Sequence, residues 1–416
     1  MVEGKRKVTT IVLAVLGGII VILLIFALIR GAEPSGAYKG RILVVGMGGH
    51  IADANVVIDP TDTENPIKVP KYGLWTGDKI HMIAMGPDGW YGSHDVRVDN
   101  KDKTIAYWSA FEGKGNKVLY GKVNLATNKW VEEKSTDVPK EVLDFFKESK
   151  KTSPGTFYCG SGQSPDYFLP VWMGYPPFVD VIDKKTLELK HRVSLLGPDF
   201  PANVRFTHGV NSPDFKYMFF IQSEAKEPFG DVTGASYFYL VDMDALTRGE
   251  LKVVKKNKYQ GALTAIAFRG AYSSDGKYIL QAVRDRVLII NADDLTVASE
   301  VPIVGVLPEG AEVHDVVATP DNKYGLMTLR IKTEYGAEKG KKSLDGQIQL
   351  FDMANKKLIG KPLSVCKHCH VKQEKRFPLT TGMKIAGCTR CHLEGRNTLD
   401  VLRFDTMLCG MDAVWR

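Results

Sequence analysis

Ser212-Pro213-Asp214-Phe215-Lys216-Tyr217 is the stretch that decides the fold, because the same six-residue pattern returns twice further along the chain. The copies are Ser273-Ser274-Asp275-Gly276-Lys277-Tyr278 and Thr319-Pro320-Asp321-Asn322-Lys323-Tyr324, with a weaker copy at 99–103. Asp, Asn and Gly are typical of tight turns, and the Tyr begins an apolar strand in each copy. The pattern therefore predicts one hairpin that recurs in each unit of a repeated β structure.

A second repeat places Asp or Asn directly after an apolar strand. It occurs at Val57-Ile58-Asp59, Lys122-Val123-Asn124, Val181-Ile182-Asp183, Leu240-Val241-Asp242, Ile289-Ile290-Asn291 and Leu350-Phe351-Asp352. The polar residues recur every 49 to 65 positions, which is close to one propeller blade of about 40 to 50 residues with inserted loops. The 40 glycines and 20 prolines also favour short strands and turns over a helical bundle.

These repeats predict an all-β chain folded as a β-propeller, in which four-stranded sheets pack around a central channel. The two motifs resemble those of YVTN-type propellers and, more loosely, the haem-d domain of cytochrome-cd nitrite reductases. The resemblance covers residues 42–364. We expect six to eight blades and favour seven, because Arg41–Val45 and Leu399–Phe404 could form a seventh blade split between the two ends of the chain.

The N-terminus has the pattern of a membrane anchor. Lys5-Arg6-Lys7 precede 22 uncharged residues, Val8 to Ile29, which at about 1.5 Å per residue span a hydrocarbon core of about 30 Å. A cleaved signal peptide is the alternative, but its apolar region is normally only about 7 to 15 residues long. We therefore expect an anchor at 1–30 and a linker at 31–41, with the rest of the chain on the exocytoplasmic side of the inner membrane.

The tail, residues 365–416, carries the most specific chemistry in the sequence. It contains two Cys-x-x-Cys-His motifs, Cys366-Lys367-His368-Cys369-His370 and Cys388-Thr389-Arg390-Cys391-His392. In such a motif the two thiols bond to the vinyl groups of one haem and the adjacent His binds its iron. The tail resembles multihaem c-type cytochromes, which implies two covalent haems with His370 and His392 as proximal ligands. In cytochrome-cd nitrite reductases the c-type domain comes first, so the order here is reversed.

The same four cysteines also fit the spacing of a zinc ribbon. A zinc site made of four thiolates has no use for a His after each pair, and the chain has only 9 histidines to place. Export across the membrane would also put the tail where c-type haems are assembled. The spacing therefore favours two haems, and the alternative is a zinc ribbon in a non-redox binding scaffold.

The distal haem ligands are less well defined by the sequence. The candidates near the motifs are His368, Met383, Met407 and Met411, and Met ligation would raise the haem potential relative to His. The alternative is that the methionines pack in the core and that His368 is an ordinary loop residue. Cys159 and Cys409 lie outside the motifs, as buried thiols or as a disulfide.

Histidines also recur in the propeller, just ahead of the predicted innermost strands: His94, His208 and His314, with His50 in a similar position. Innermost strands line the channel, so equivalent histidines would converge there and could hold a metal or an additional haem. Asp95 and Asp315 could orient two of the rings. The alternative is that each His only forms a hydrogen bond with the next blade.

Taken together, the motifs predict a membrane-anchored c-type cytochrome that transfers electrons between redox partners in a respiratory chain. A propeller reductase with a cofactor held by the channel histidines is the second hypothesis. Of the net charge of +7, residues 1–30 contribute +3 and residues 361–416 contribute +5, so the body is nearly neutral. This is unlike the distributed basic surface of a nucleic-acid-binding protein, and no nucleophile-base triad or phosphate-binding loop can be singled out.

Overall fold

Six antiparallel sheets form a ring in the computed structural model of the chain, within the part that it describes. The described residues are 37–46, 50–69, 81–84, 93–110, 116–149, 158–262, 266–303, 306–307, 311–333, 343–365 and 408–416. Each sheet is one blade, and the blades follow one another in chain order around the axis.

The blades are named in that order. Blade 1 holds β1 (Tyr38–Gly46), β2 (His50–Ile58), β3 (Ile67–Lys68) and β4 (His81–Ala84); blade 2 holds β5 (Ser93–Val98), β6 (Ile105–Ala110), β7 (Lys117–Asn124) and β8 (Lys129–Asp137). Blade 3 holds β9 (Tyr158–Gln163), β10 (Tyr167–Trp172), β11 (Phe178–Asp183) and β12 (Leu189–Ser194); blade 4 holds β13 (Val204–Asn211), β14 (Tyr217–Ala225), β15 (Val232–Asp242) and β16 (Val253–Gln260).

Blade 5 holds β17 (Gly270–Tyr272), β18 (Tyr278–Val283), β19 (Arg286–Asn291) and β20 (Val297–Pro302); blade 6 holds β21 (Glu312–Ala318), β22 (Tyr324–Thr333), β23 (Ser343–Asp352) and β24 (Lys357–Ser364). The last strand, β25 (Leu408–Trp415), returns to blade 1. The helices within the described ranges are α1 (Lys140–Ser149), between blades 2 and 3, and α2 (Met243–Thr247), between β15 and β16.

The preference for a seventh blade is wrong, because the strand that closes the ring belongs to the first unit. β1 pairs with β2 on one side and with β25 on the other, so β25 is the innermost strand of blade 1. The segment Arg41–Val45 therefore lies in the same blade as Val57-Ile58-Asp59. Its partner is Leu408–Trp415, whereas the predicted partner, 399–404, lies outside the described residues.

Six hydrophobic clusters hold the blades together, one between each pair of neighbours. The cluster between blades 6 and 1 packs Ile42 and Met411 against Leu326, and the cluster between blades 1 and 2 packs Leu43 against Trp108. The others lie between blades 2 and 3, 3 and 4, 4 and 5, and 5 and 6. Because every blade buries both faces, the ring is closed at six.

Both sequence repeats have a local hydrogen-bonding cause. In the turn after the innermost strand, the Ser212 hydroxyl donates to Asp214 at 2.7 Å and accepts the backbone N–H of Tyr217 at 3.0 Å. The turns at 273–278 and 319–324 repeat both bonds. The Asp or Asn after the third strand accepts backbone N–H groups of the next turn, as Asp183 does from Lys185 and Thr186. Because these hydrogen bonds join residues that are close in the chain, the sequence pattern alone predicts the turns.

No helix in the described ranges is long and apolar enough to cross a membrane. The predicted span, residues 8–29, falls outside those ranges, so the anchor stays a prediction.

Candidate functional site

The haem motifs lie in a segment that joins two described strands. Residues 366–407 are outside the described ranges, and with them all the predicted haem-binding residues and distal candidates except Met411: Cys366, His368, Cys369, His370, Met383, Cys388, Cys391, His392 and Met407. The segment follows β24, the outermost strand of blade 6, and precedes β25, the innermost strand of blade 1. Met411 itself is 1% exposed and packs in the cluster between these two blades.

The face of the propeller at which the chain enters the innermost strands is here called the front face. The segment 366–407 leads into β25. The chain therefore re-enters the propeller at the front face at Leu408. The six entering strands contact their neighbours around the channel. In or just before each of these innermost strands, one Cys, His or Arg is followed by Gly or Asp.

These six positions are here called the channel ring. They are Cys409-Gly410, His94-Asp95, Cys159-Gly160, His208-Gly209, Arg269-Gly270 and His314-Asp315, in the order of the blades. Each of these six Cys, His and Arg residues is almost fully buried. The predicted histidines His94, His208 and His314 therefore do lie on innermost strands, in three different blades. His50 does not, because it begins β2, the third strand of blade 1 counted from the axis.

Small residues after the ring positions let neighbouring strands approach closely. Gly410 in β25 lies against Asp95 of blade 2, where an added Cβ would be 2.9 Å from the Asp95 Cα and closer still to its carboxylate. A side chain at this position would push the closing strand away from blade 2. Close packing of β25 against blade 2 therefore favours glycine at position 410.

Arg269 crosses the channel. Its Nε donates to the Cys159 Sγ at 3.0 Å and lies 3.3 Å from Asp95 Oδ2, and its Nη2 lies 2.8 Å from Nδ1 of His94. Arg269 belongs to blade 5, and His94 and Asp95 to blade 2, which is opposite in a ring of six. The guanidinium group therefore occupies the centre of the channel at this level.

A second arginine, Arg97, lies two residues further along β5. Its Nη1 donates to the backbone oxygens of Val96 and Met411, both at 3.0 Å, and its Nε donates to the Ser161 oxygen at 3.1 Å. The same Nη1 is 3.1 Å from Asp95 Oδ1. Asp95 thus lies between the two guanidinium groups and contacts both.

Two further carboxylates hold the closing strand. Asp315 Oδ2 accepts the backbone N–H of Met411 at 2.7 Å, and Asp412 Oδ2 accepts that of Val98 at 2.7 Å. Asp315 Oδ2 is also 3.9 Å from Arg97. Burial raises the pKa of Asp315 to about 7 and also raises that of Asp412, because a desolvated carboxylate resists ionisation. The prediction that Asp95 and Asp315 orient two of the histidine rings stays untested, and the contacts described here are additional to it.

The histidines have separate surroundings. The His314 ring stacks on Phe268 with centroids 3.8 Å apart, and Phe268 also meets His208 edge-on at 6.3 Å. Burial, together with the charges of Arg269 and Arg97, lowers the pKa of His208 well below its ordinary value. Among the described residues, no three His, Cys, Asp or Glu side chains are arranged to hold a metal ion. A channel cofactor bound by the three histidines therefore stays an untested prediction.

The two cysteines outside the haem motifs are both part of the ring. They are buried thiols, not a disulfide. Cys159 Sγ donates to Asp95 at 3.1 Å, and burial raises its pKa well above the ordinary value. A thiol of this kind is protonated at neutral pH, and a buried thiol is usually inert.

The histidine pattern in the sequence predicts three of the six ring positions, whereas Arg269, Cys159 and Cys409 lie outside that pattern, as does Arg97. The sequence does contain a pattern that marks the six ring positions. Each ring residue precedes a Gly or Asp, and in blades 2 to 6 the first residue of the following turn lies four or five positions later, at Asp99, Ser164, Ser212, Ser273 and Thr319. A pattern of histidines alone cannot mark a position that His, Cys and Arg share.

The sequence matches no protein-family model and no curated protein. Among solved structures, the chain is similar to Kuenenia stuttgartiensis hydrazine synthase, with 14% identity, a TM-score of 0.41 and coverage of 71% of this chain and 70% of that one. It is also similar to a protein from Lactobacillus plantarum, with 10% identity, a TM-score of 0.45 and coverage of 79% and 97%. Function therefore has to be derived from this chain's own residues.

Proposed function

We propose that the protein is a membrane-anchored c-type cytochrome that carries two covalent haems on its tail and transfers electrons between redox partners on the exocytoplasmic side of the inner membrane. The observation that carries the proposal is the pair of complete Cys-x-x-Cys-His motifs at 366–370 and 388–392. Each supplies two thiols for thioether bonds and one His for the iron. The bound haems would supply one-electron redox chemistry.

The propeller supports this role as a rigid base for the tail. Both flanks of the segment 366–407 are built into the ring: β24 is paired with β23 in blade 6, and β25 pairs with β1 in blade 1. Asp315 and Arg97 bond the Met411 backbone directly. The tail is therefore tethered at two points, which limits how far a cofactor on it can move from the propeller. The ten basic residues in 361–416 against five acidic ones favour an acidic redox partner.

Covalent attachment gives the test. The full chain, produced in a host competent for cytochrome c maturation, is expected to keep haem after denaturation and acid extraction and to give a c-type pyridine haemochrome at two per chain. Replacing both Cys388 and Cys391 by Ala should halve that value. Cys159→Ala is the matched control, because it removes a thiol outside the motifs and should leave the haem content at two. A colourless protein with one zinc per chain would contradict the proposal and favour the zinc-ribbon scaffold.

The second candidate is a reductase, in which the channel ring holds a substrate and the tail haems supply the electrons. The observation that favours it is the position of the ring: its polar and charged groups lie at the front face, where the chain returns from the haem segment into β25. Steady-state reduction of an added oxidant, lost on replacing Arg269 but with haem content unchanged, would distinguish this reductase from a pure electron carrier.

A further inference from the structure

Two buried guanidinium groups in the channel have N–H donors left over. Within the described part of the chain, Nη1 of Arg269 and Nη2 of Arg97 have no hydrogen-bond partner. Arg269 is 1% exposed and Arg97 6%. Buried polar groups are almost always paired, because a buried donor without an acceptor destabilises the folded protein. Two such donors in one channel indicate a site for a polar ligand.

The charged groups around these donors indicate the sign of the ligand's charge. Arg269 and Arg97 share Asp95, at 3.3 and 3.1 Å, so the nearest carboxylate serves two cations. The other carboxylates that face Arg97 are Asp315 and Asp412, and their oxygens accept backbone N–H groups on β21, β25 and β5. Burial raises the pKa of both, so they hold their negative charge weakly. The donors therefore favour an acceptor that brings negative charge.

The position of the donors limits the size of the ligand. They lie inside a ring of six strands, and Arg269 of blade 5 reaches His94 of blade 2 across it. Phe268 and Phe206 precede the ring residues Arg269 and His208 by one and two positions, and they contact the rings of His314 and His208. Both phenylalanines are only partly buried, so aromatic side chains lie on the front-face side of the buried ring.

We propose that the channel ring binds a small oxyanion with a single charge, of the size of formate or nitrate, with Arg269 as its main donor and Arg97 beside it. The free Nη1 of Arg269 and the free Nη2 of Arg97 can each donate to a different oxygen of one such anion, and charge-assisted bonds of this kind are about twice as strong as neutral ones. This site is independent of the haems: it uses only propeller residues and would exist in an electron carrier, a reductase or a scaffold.

The test uses the full-length protein and two sodium salts, formate and nitrate, against sodium chloride at equal ionic strength. Calorimetric titration is expected to show one formate or nitrate bound per chain, and the unfolding temperature should rise with the logarithm of its concentration. Chloride should bind more weakly and raise the unfolding temperature less, because its single atom cannot present a separate oxygen to each of the two donors. The absorbance of the haems is recorded in the same titration, so that binding at an iron is recognised.

Two arginine variants locate the site. Arg269→Lys keeps the positive charge but removes the free Nη1 donor, and it should weaken formate binding at least tenfold. Arg192→Lys is the matched control, because the Arg192 donors already bond Asp180, Thr136 and the Asp137 oxygen, away from the channel. It should bind formate as the wild type does, even if the protein becomes less stable.

Three outcomes would overturn the proposal. They are no formate or nitrate binding by the wild type beyond the effect of chloride, unchanged binding in Arg269→Lys, and binding that only shifts the haem spectrum. If Arg269→Lys does not fold, Arg97→Lys takes its place with the same expectation of weaker binding, and the wild-type titration against chloride still decides whether the anion binds.

Discussion

The fourth residue of the repeated turn has a left-handed backbone in three blades. The φ angle is +57° at Phe215, +73° at Gly276 and +59° at Asn322. Left-handed geometry is free of steric cost only for Gly and is well tolerated by Asn, whereas another residue loses about 1 kcal/mol or more. The backbone angle therefore favours Gly or Asn at the fourth position of the turn. Phe215 at this position lowers the stability of the folded protein.

Replacing Gly276 with Ala should lower the free energy of unfolding by about 1 kcal/mol. The nearest atoms to an added Cβ are those of Pro213 at 3.8 Å, so no clash contributes and the loss comes from the φ angle alone. Urea unfolding measures the change. Gly276→Asn is the control and should lose less, because Asn tolerates this angle. Equal losses for the two variants would show that the angle is not the cause.

The buried carboxyl of Asp315 predicts a pH dependence of stability. Burial raises its pKa to about 7 in the folded protein, above the value of about 3.9 in an unfolded chain. The folded state therefore binds the proton more tightly, and this contribution to stability is complete below about pH 4 and is lost as the pH rises toward 7 and above.

Urea unfolding at pH 5 and pH 8 checks this sign. The wild type should lose more stability between these pH values than Asp315→Asn, which cannot ionise and still offers an oxygen to the Met411 N–H. Asp166→Asn is a control at an exposed carboxylate paired with Lys101, and its pH dependence should stay like that of the wild type. Identical profiles for wild type and Asp315→Asn would exclude Asp315 as the titrating group.

Among the elements, β25 connects blade 1 to both of its neighbours. It completes the sheet of blade 1 through β1, its Met411 packs in the cluster with blade 6, and its Asp412 bonds blade 2 through the Val98 N–H. Trp415 Nε1 also donates to the Ala318 oxygen of blade 6 at 2.9 Å. A single strand therefore closes the ring against two neighbours.

Deleting residues 408–416 should abolish cooperative thermal unfolding and cause association, because it exposes the edge of β1. A synthetic peptide of residues 408–416 added in trans should restore cooperativity. The matched control is the same peptide with Gly410→Val, which cannot approach Asp95 and should not rescue. Normal unfolding of the truncated chain without peptide would show that the ring does not need this closure.

At the scale of the whole molecule, the chain combines three parts with different chemistry: an apolar N-terminus, a nearly neutral propeller and a basic tail with haem motifs. The predicted topology places the propeller and the tail on the same side of the membrane. Electron transfer by the tail would then occur on the exocytoplasmic side.

The native protein should remain in washed membranes and be released by detergent, because 22 uncharged residues span the hydrocarbon core. Deletion of residues 1–30 should yield a soluble protein with the same haem content, as measured by fractionation and the pyridine haemochrome. Replacing Lys5, Arg6 and Lys7 with Gln is the control: it keeps the apolar span and should leave the protein membrane-bound. A mature N-terminus near Tyr38 in the soluble fraction would show that the segment is a cleaved signal.

The sequence by itself determined the local features of this protein. The turn at 212–217 and its copies are visible because their hydrogen bonds join residues at most five positions apart. The Asp and Asn residues after the third strands are visible for the same reason. The Cys-x-x-Cys-His motifs are likewise local, since five consecutive residues would supply both thiols and the iron ligand of a c-type haem. Each of these patterns depends only on neighbours in the chain.

Only the tertiary structure decided the number of blades and the composition of the channel. Six blades rather than seven follow from the pairing of β1 with β25, which are hundreds of residues apart. The channel ring gathers one residue from each of six strands, and Arg269 meets His94 across it. No spacing in the sequence specifies which side chain will reach across an axis, because that depends on closure of the ring, on burial and on the charges that face one another when the ring is complete.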